Sequence, residues 1–244
     1  MSKFHALSLG LLKASMFDSV VSTGRTLLEN ANLLGQAEDI FYYFTHFPIR
    51  NWFKLYNKMD IRHEENIPRK GGMIVVANHR SHLDPIFISS ATFRKIHWMS
   101  KMENFEQPIM KSVFSMWSAF PVERGKGDTR ALRTAIDHLK NDRCIGVFPE
   151  GTRSIDGTMG HFHNGAAKLA VMTGATLMPC GVTGTYQVLK KGKTVPKPVK
   201  VIVNWGTPVP THEVKGQHEN WDLVKSYTTR IEKQIHDLVG ENAK

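Results

Sequence analysis

The stretch MIVVANHRSHLDPIFI, residues 73–88, decides the fold class. Its first six residues, MIVVAN, read as a strand that ends near Asn78, five of them being apolar and three β-branched. His79 follows in the turn, and Asp84 stands five residues later beside Pro85, where a helix can begin. A strand that turns directly into a helix is half of an α/β unit, and the same alternation continues on its C-terminal side. Strands are expected at 95–99 (KIHWM), 119–122 (AFPV), 144–148 (CIGVF), 176–182 (TLMPCGV) and 199–205 (VKVIVNW). Helical patterns lie between them. The clearest is TRALRTAIDHLK, with Asp128 as N-cap and Leu132, Ala135, Ile136 and Leu139 on one face. Residues 59–244 are therefore expected to form one α/β domain with a mixed, largely parallel sheet flanked by helices.

Residues 1–58 differ in texture. The first part places Leu7, Leu11, Ala14, Phe17 and Val21 at helical spacing, with Gly35 as a stop. A second helical stretch gathers eight aromatics between residues 41 and 56, fringed by Arg50, Lys54 and Lys58, with Pro48 expected to kink or divide it. Aromatic side chains with basic neighbours suit a helix lying in the headgroup boundary of a bilayer, so these residues are expected to form an amphipathic two-helix membrane-binding arm. The last 25 residues form another amphipathic helix, with Trp221, Val224, Ile231, Ile235 and Leu238 turned toward the core.

Composition narrows the partners. The chain has 244 residues and a formal charge of +10, from 32 basic against 22 acidic side chains, which favours an anionic partner. No run of about 18 uninterrupted apolar residues occurs, and the N-terminus lacks a secretory pattern, so a peripheral or monotopic protein on the cytoplasmic face of the membrane is expected. Cys144 and Cys180 both lie in apolar strand-like runs and read as buried thiols. Nucleic acid is disfavoured as a partner, because the lysines between 190 and 200 lack interleaved aromatics and no reading helix or finger appears. The GKT at 192–194 is not a phosphate-binding loop, since Gln187 stands where a glycine is required.

A histidine after a strand and an aspartate at a helix start can meet, Asp84 taking one ring nitrogen of His79 while the other faces outward. That is the base and orienter of a triad without its serine, for no G-x-S-x-G elbow occurs. A hydroxyl brought by the substrate would then be the nucleophile. Two further stretches suit an anion. In FPEGTRS (148–154), Gly151 allows close backbone approach and Arg153 offers a planar fork for phosphate. In FPVERGKGD (120–128), Arg124 sits between a strand end and a helix start. The apolar LMPCGV (177–182), with Pro179, would line a pocket.

These four stretches, in this order and spacing over residues 70–206, resemble the motifs of the glycerolipid acyltransferase family, most of all its 1-acylglycerol-3-phosphate acyltransferase branch. The resemblance implies that His79 deprotonates the sn-2 hydroxyl of a lysophosphatidate while Asp84 orients it. It also implies that Arg124, Glu150, Gly151, Thr152 and Arg153 bind the glycerophosphate, with Lys101 as a further phosphate contact. The acyl group would come from an acyl-carrier protein or coenzyme A thioester, giving phosphatidic acid without a cofactor, a metal or a covalent intermediate. Backbone amides near the first motif are expected to hold the oxyanion. Two departures stand out: Glu123 replaces the usual aspartate before the arginine, and the spanning segment common before the first motif is replaced by the amphipathic arm. Another lysolipid could serve as acceptor. A reading from a different class is a metal-dependent hydrolase using His79, His82 and Asp84 with His161 and His163, which would leave FPEGTRS and FPVER without a role.

Overall fold

The computed structural model describes residues 34–101, 119–122, 128–154, 158–189 and 195–241, together with Thr23, Gly24 and Thr26. Leu7, Leu11, Ala14, Phe17 and Val21 of the expected first helix, and Arg124, lie outside these residues. Helix α1 is Leu34–Tyr56, followed by β1 (Asp60–Arg62), β2 (Met73–Ala77), α2 (Asp84–Ser90), β3 (Ile96–Lys101), β4 (Phe120–Val122), α3 (Thr129–Lys140), β5 (Cys144–Val147), α4 (Gly165–Thr173), β6 (Thr176–Thr183), α5 (Thr185–Val188), β7 (Ile202–Trp205) and α6 (Trp221–Glu241).

The backbone divides into two compact units, Met1–Thr45 with Met99–Ala131 and His46–Trp98 with Leu132–Lys244. In the first, the end of β3 runs parallel to β4 with Met99 opposite Phe120 and Lys101 opposite Val122. Asp128 caps α3 as expected, its Oδ1 accepting from the Arg130 and Ala131 amides at 2.9 and 3.1 Å.

In the second unit the strand order is β1-β7-β6-β2-β5-β3. All neighbours are parallel except β6 and β7. The mixed, largely parallel sheet is thus as expected. Every residue of β2 is buried, which is why its run is continuously apolar rather than alternating. Helix α4 is rich in alanine and ends at Gly174, whose left-handed φ of 78° no side-chain-bearing residue adopts comfortably. Helix α6 buries Val224, Ile231, Ile235 and Leu238.

Several expectations need correction. Helix α1 is not divided at Pro48, which lies inside it, and Gly35 falls in its first turn. Trp221 is 52% exposed, because the first residue of α6 lies beyond the packed turns; the Lys168 ammonium sits over its ring at 4.8 Å. Leu132 is exposed, since the buried line of α3 runs through Ala131, Ala135 and Leu139, one position round the helix. Strand β7 starts at Ile202 rather than 199, because Val199 turns back to Lys197 and the Val201 amide donates to Asn57 instead of to a strand. Strand β1 has two charged residues in three and no apolar period by which to read it.

The C-terminal half of α1 is fixed by polar contacts. His46 and Arg50 are buried, the His46 Nε2 bonding the Ser89 carbonyl at 3.1 Å. Arg50 forks onto Glu64 at 3.0 and 2.6 Å, donates to the Ser90 carbonyl and lies over the Phe93 ring. Phe53 stacks on Phe87 at 4.0 Å. The opposite face is left in solvent, with Phe47 at 66%, Trp52 at 60% and Leu55 at 82% exposure.

Arg50→Ala would leave Glu64 and a buried carbonyl without their donor, and is expected to lower unfolding stability by roughly 2–3 kcal/mol in a urea titration. A loss under about 0.5 kcal/mol, the ordinary surface value, would contradict this account of the fork. Acid should also destabilise the protein. Burial holds His46 and His138 below the usual 6.5; the charges of Arg143 and Lys95 add to this at His138 and that of Arg50 at His46, against backbone bonds from Ser89 and Thr92. The unfolded chain therefore binds more protons near and below pH 6.5, so their contribution is full above that value and is lost as pH falls through the lowered folded values. Urea midpoints measured from pH 7.5 downward should drop below about 6.5, and His138→Gln should flatten the drop.

Candidate active site

Strands β2 and β5 are parallel neighbours with Val76 opposite Val147, so the loops that follow them leave the same edge of the sheet side by side. This register brings the NHRSHLD and FPEGTRS stretches together although 71 residues separate His79 from Glu150. Asn78 is fully buried and carries the pairing one residue past β2 with its carboxamide. Its Nδ2 donates to the Val182 carbonyl and its Oδ1 accepts from the Val182 amide, both at 2.8 Å.

His79 and Asp84 meet as expected, Nδ1 to Oδ2 at 2.9 Å. Asp84 is fully buried and opens α2, while the histidine keeps 12% of its side chain accessible. The same Oδ2 also accepts from the Arg80 and Ser81 amides at 2.6 and 2.7 Å. Asp84 Oδ1 is buried and has no partner among the described residues. Because a carboxylate only accepts, Nδ1 carries the hydrogen and Nε2 is left as a lone-pair acceptor.

The FPEGTRS loop grips the His79 peptide from both sides. Glu150, only 7% exposed, accepts the His79 amide on Oε1 at 2.6 Å and the Gly160 amide on Oε2 at 2.9 Å. The Ser154 amide donates to the His79 carbonyl at 2.9 Å. Gly151 has φ +68°, and an added Cβ would meet only His163 at an ordinary 3.5 Å, so the glycine is required by conformation and not by space. Thr152 is exposed and Arg153 half-buried. Among the described residues Arg153 makes no hydrogen bond or ion pair; it lies close enough to His82 to act on its charge. His82 has its pKa lowered by desolvation first, then by Arg153 and His79, with Asp84 opposing.

The amides expected to hold an oxyanion are largely occupied. Those of His79, Arg80, Ser81, Leu83 and Asp84 donate to Glu150, Asp84, Asp84, the Ser81 hydroxyl and the Ser81 carbonyl respectively. Donors for an oxyanion must come from outside those five.

Lys101, Arg124 and Pro179 are the remaining expected residues. Lys101 closes β3 opposite Val122, and Arg124 is two positions beyond Val122 but outside the described residues, as is Glu123. Pro179 is buried in β6 opposite Val76, its carbonyl accepting from the Gly206 amide at 2.9 Å. A small cavity behind the site is lined by Val76, Pro149, Phe162, His163, Leu177 and Ile231 among others, and Pro179 is not part of its wall. The two histidine clusters do not converge: among the described residues no three His, Cys, Asp or Glu side chains lie together as metal ligands, and exposed His161 faces Glu232 at 3.9 Å.

Two contacts were not legible in the sequence. The His79 ring lies flat on Phe148, centroids 3.9 Å apart and planes 11° apart, and Phe148 lies flat on Trp98 at 4.7 Å and 13°. Trp98 and Phe148 stand on different strands, and only the β3–β5 register, with Trp98 opposite Gly146, makes them neighbours.

Comparison with known proteins places this geometry. The chain is 28% identical over 195 residues to a 1-acyl-sn-glycerol-3-phosphate acyltransferase of Bacillus subtilis, covering 78% of this chain and 89% of that one. It is 32% identical over 156 residues to a chloroplastic 1-acyl-sn-glycerol-3-phosphate acyltransferase of Arabidopsis thaliana, covering 61% of this chain but only 44% of that protein's length. The crystal structure of the 1-acyl-sn-glycerophosphate acyltransferase PlsC from Thermotoga maritima superposes with a TM-score of 0.68 at 25% identity, over 97% of this chain and 98% of that one. The acyltransferase family model matches residues 58–183, a span that contains the whole His79–Glu150 site, and the chain belongs to the acyltransferase family.

Proposed function

We propose that this protein transfers a fatty acyl group from an acyl-carrier protein or coenzyme A thioester to the sn-2 hydroxyl of 1-acylglycerol-3-phosphate. The observation that carries the reading is the 2.9 Å His79–Asp84 pair, whose outward nitrogen has no hydrogen-bond partner among the described residues. No serine elbow exists in the sequence. Both cysteines are buried, with burial pushing the Cys144 thiol up to about 11 and the Cys180 thiol well above its usual value, so neither supplies a thiolate.

The acceptor's own hydroxyl then completes the triad. His79 Nε2 takes its proton as the hydroxyl oxygen bonds to the thioester carbonyl carbon, and Asp84 stabilises the resulting imidazolium. Collapse of the tetrahedral intermediate breaks the C–S bond, and the departing thiolate takes the proton back. Arg153, with no protein partner among the described residues, is a fork available to the phosphomonoester; Arg124 and Lys101 would be further phosphate contacts on the strength of the motif resemblance. Gly151 and Thr152 would complete that contact. Glu150, with both oxygens on backbone amides, acts as a positioning residue rather than as a ligand of the acceptor. Pro179 belongs to the packing beneath.

Residues 1–58 would bring the site to an anionic bilayer on its cytoplasmic face. The exposed Phe47, Trp52 and Leu55 and the basic Lys54 and Lys58 support that role. Among the described residues no helix is long and apolar enough to cross a membrane.

His79→Ala should lower acyl transfer to lysophosphatidate by about 10²–10⁴-fold while leaving the circular dichroism spectrum unchanged. Transfer retained by that variant would sink the assignment, and a panel of lysolipids against both thioester donors, run on the unaltered protein, identifies the acceptor and donor. Replacing Trp52 and Leu55 together by serine should weaken flotation with vesicles containing phosphatidylglycerol; unaltered flotation would remove α1 from the membrane contact.

A further inference from the structure

The His79–Asp84 hydrogen bond by itself is a hinge. One Nδ1 contact at 2.9 Å fixes a point on the imidazole ring but lets the ring swing about that point, carrying Nε2 out of line with a hydroxyl. The ring is nevertheless held in a plane, because Phe148 lies against its face at 3.9 Å. We infer that Phe148 and Trp98 are positioning residues for the base, forming with α2 a closed circuit that fixes the plane of the His79 ring; this rests on the reading of His79 as general base.

The circuit can be followed around. Asp84, the first residue of α2, holds His79 Nδ1. Ser89, in the last turn of the same helix, accepts the Trp98 Nε1 hydrogen on its hydroxyl at 2.9 Å, and both residues are buried. Trp98 backs Phe148 at 4.7 Å, and Phe148 backs His79. The room for the indole is provided by Gly146, where an added Cβ would stand 2.6 Å from Trp98 Cδ2 and Cζ3. The stack has an electronic consequence as well. When His79 takes the hydroxyl proton it becomes a cation lying over an aromatic face, a favourable arrangement within about 6 Å. The support is therefore greatest when the ring is charged, which is the state that follows proton transfer.

The test compares Phe148→Leu, which keeps apolar bulk but removes the flat face, with Phe148→Tyr, which restores it, and includes His79→Ala as a control. Phe148→Leu should lower kcat about 10- to 100-fold with KM within about twofold of the unaltered protein, and Phe148→Tyr should recover most of kcat. An unchanged kcat in Phe148→Leu, or a loss confined to KM, overturns the inference while an inactive His79→Ala leaves the base assignment standing. A fully active His79→Ala overturns the base assignment itself, and the positioning role with it. Should Phe148→Leu fail to fold, Trp98→Leu carries the same reading: kcat lost with KM within about twofold supports the circuit, and kcat kept, or a loss confined to KM, overturns it.

Discussion

The parallel pairing of β2 with β5 is the constraint on which the site depends. Because both strands run the same way and end at the same level, Val76 opposite Val147, two loops distant in sequence emerge side by side. The pairing alone would leave those loops free to drift. What joins them is a carboxylate: Glu150 takes the His79 amide on one oxygen and the Gly160 amide on the other, in a place with little water to compete. Two orphan backbone donors and one buried charge are satisfied together. Removing either strand pairing or carboxylate would leave the other unable to place the histidine.

Much of this was legible in the sequence, for physical reasons that differ by residue. The central strands are readable because they are buried on both faces and hence apolar throughout, as in MIVVA. The His79–Asp84 pair is readable because its partners are local: five residues and a helix start bring them together whatever the rest of the fold does. Glu150 is visible as part of a motif, but its partners are not, since Gly160 lies in a segment with no pattern of its own. The aromatic stack is invisible for the same reason in stronger form. Trp98 and Phe148 meet only after β3 and β5 have found their register, and nothing in either strand announces the other.

Where expectation failed, the cause was one of phase or of tertiary override. Leu132 and Trp221 fit an apolar helical stripe on paper, yet both are exposed, because the packed line on each helix is narrower than the apolar one. Pro48 resides inside α1 despite its missing donor. The lysine- and proline-bearing segment from 195 is held to the end of α1, the Tyr56 hydroxyl reaching the Pro196 carbonyl and Asn57 the carbonyls of Lys197 and Val199. These long-range bonds also displace the start of β7.

Helix α2 has a consequence that follows from its shortness. With seven residues it carries Asp84 at one end and Ser89 near the other, so the bond that pivots His79 and the bond that steadies Trp98 leave the same short helix, while the Phe148 face comes from the sheet. A shift of α2 against the sheet therefore moves the pivot of the imidazole relative to the face that holds its plane. The aim of Nε2 thus depends on how α2 is seated, and change in the core beneath that helix is felt at the base.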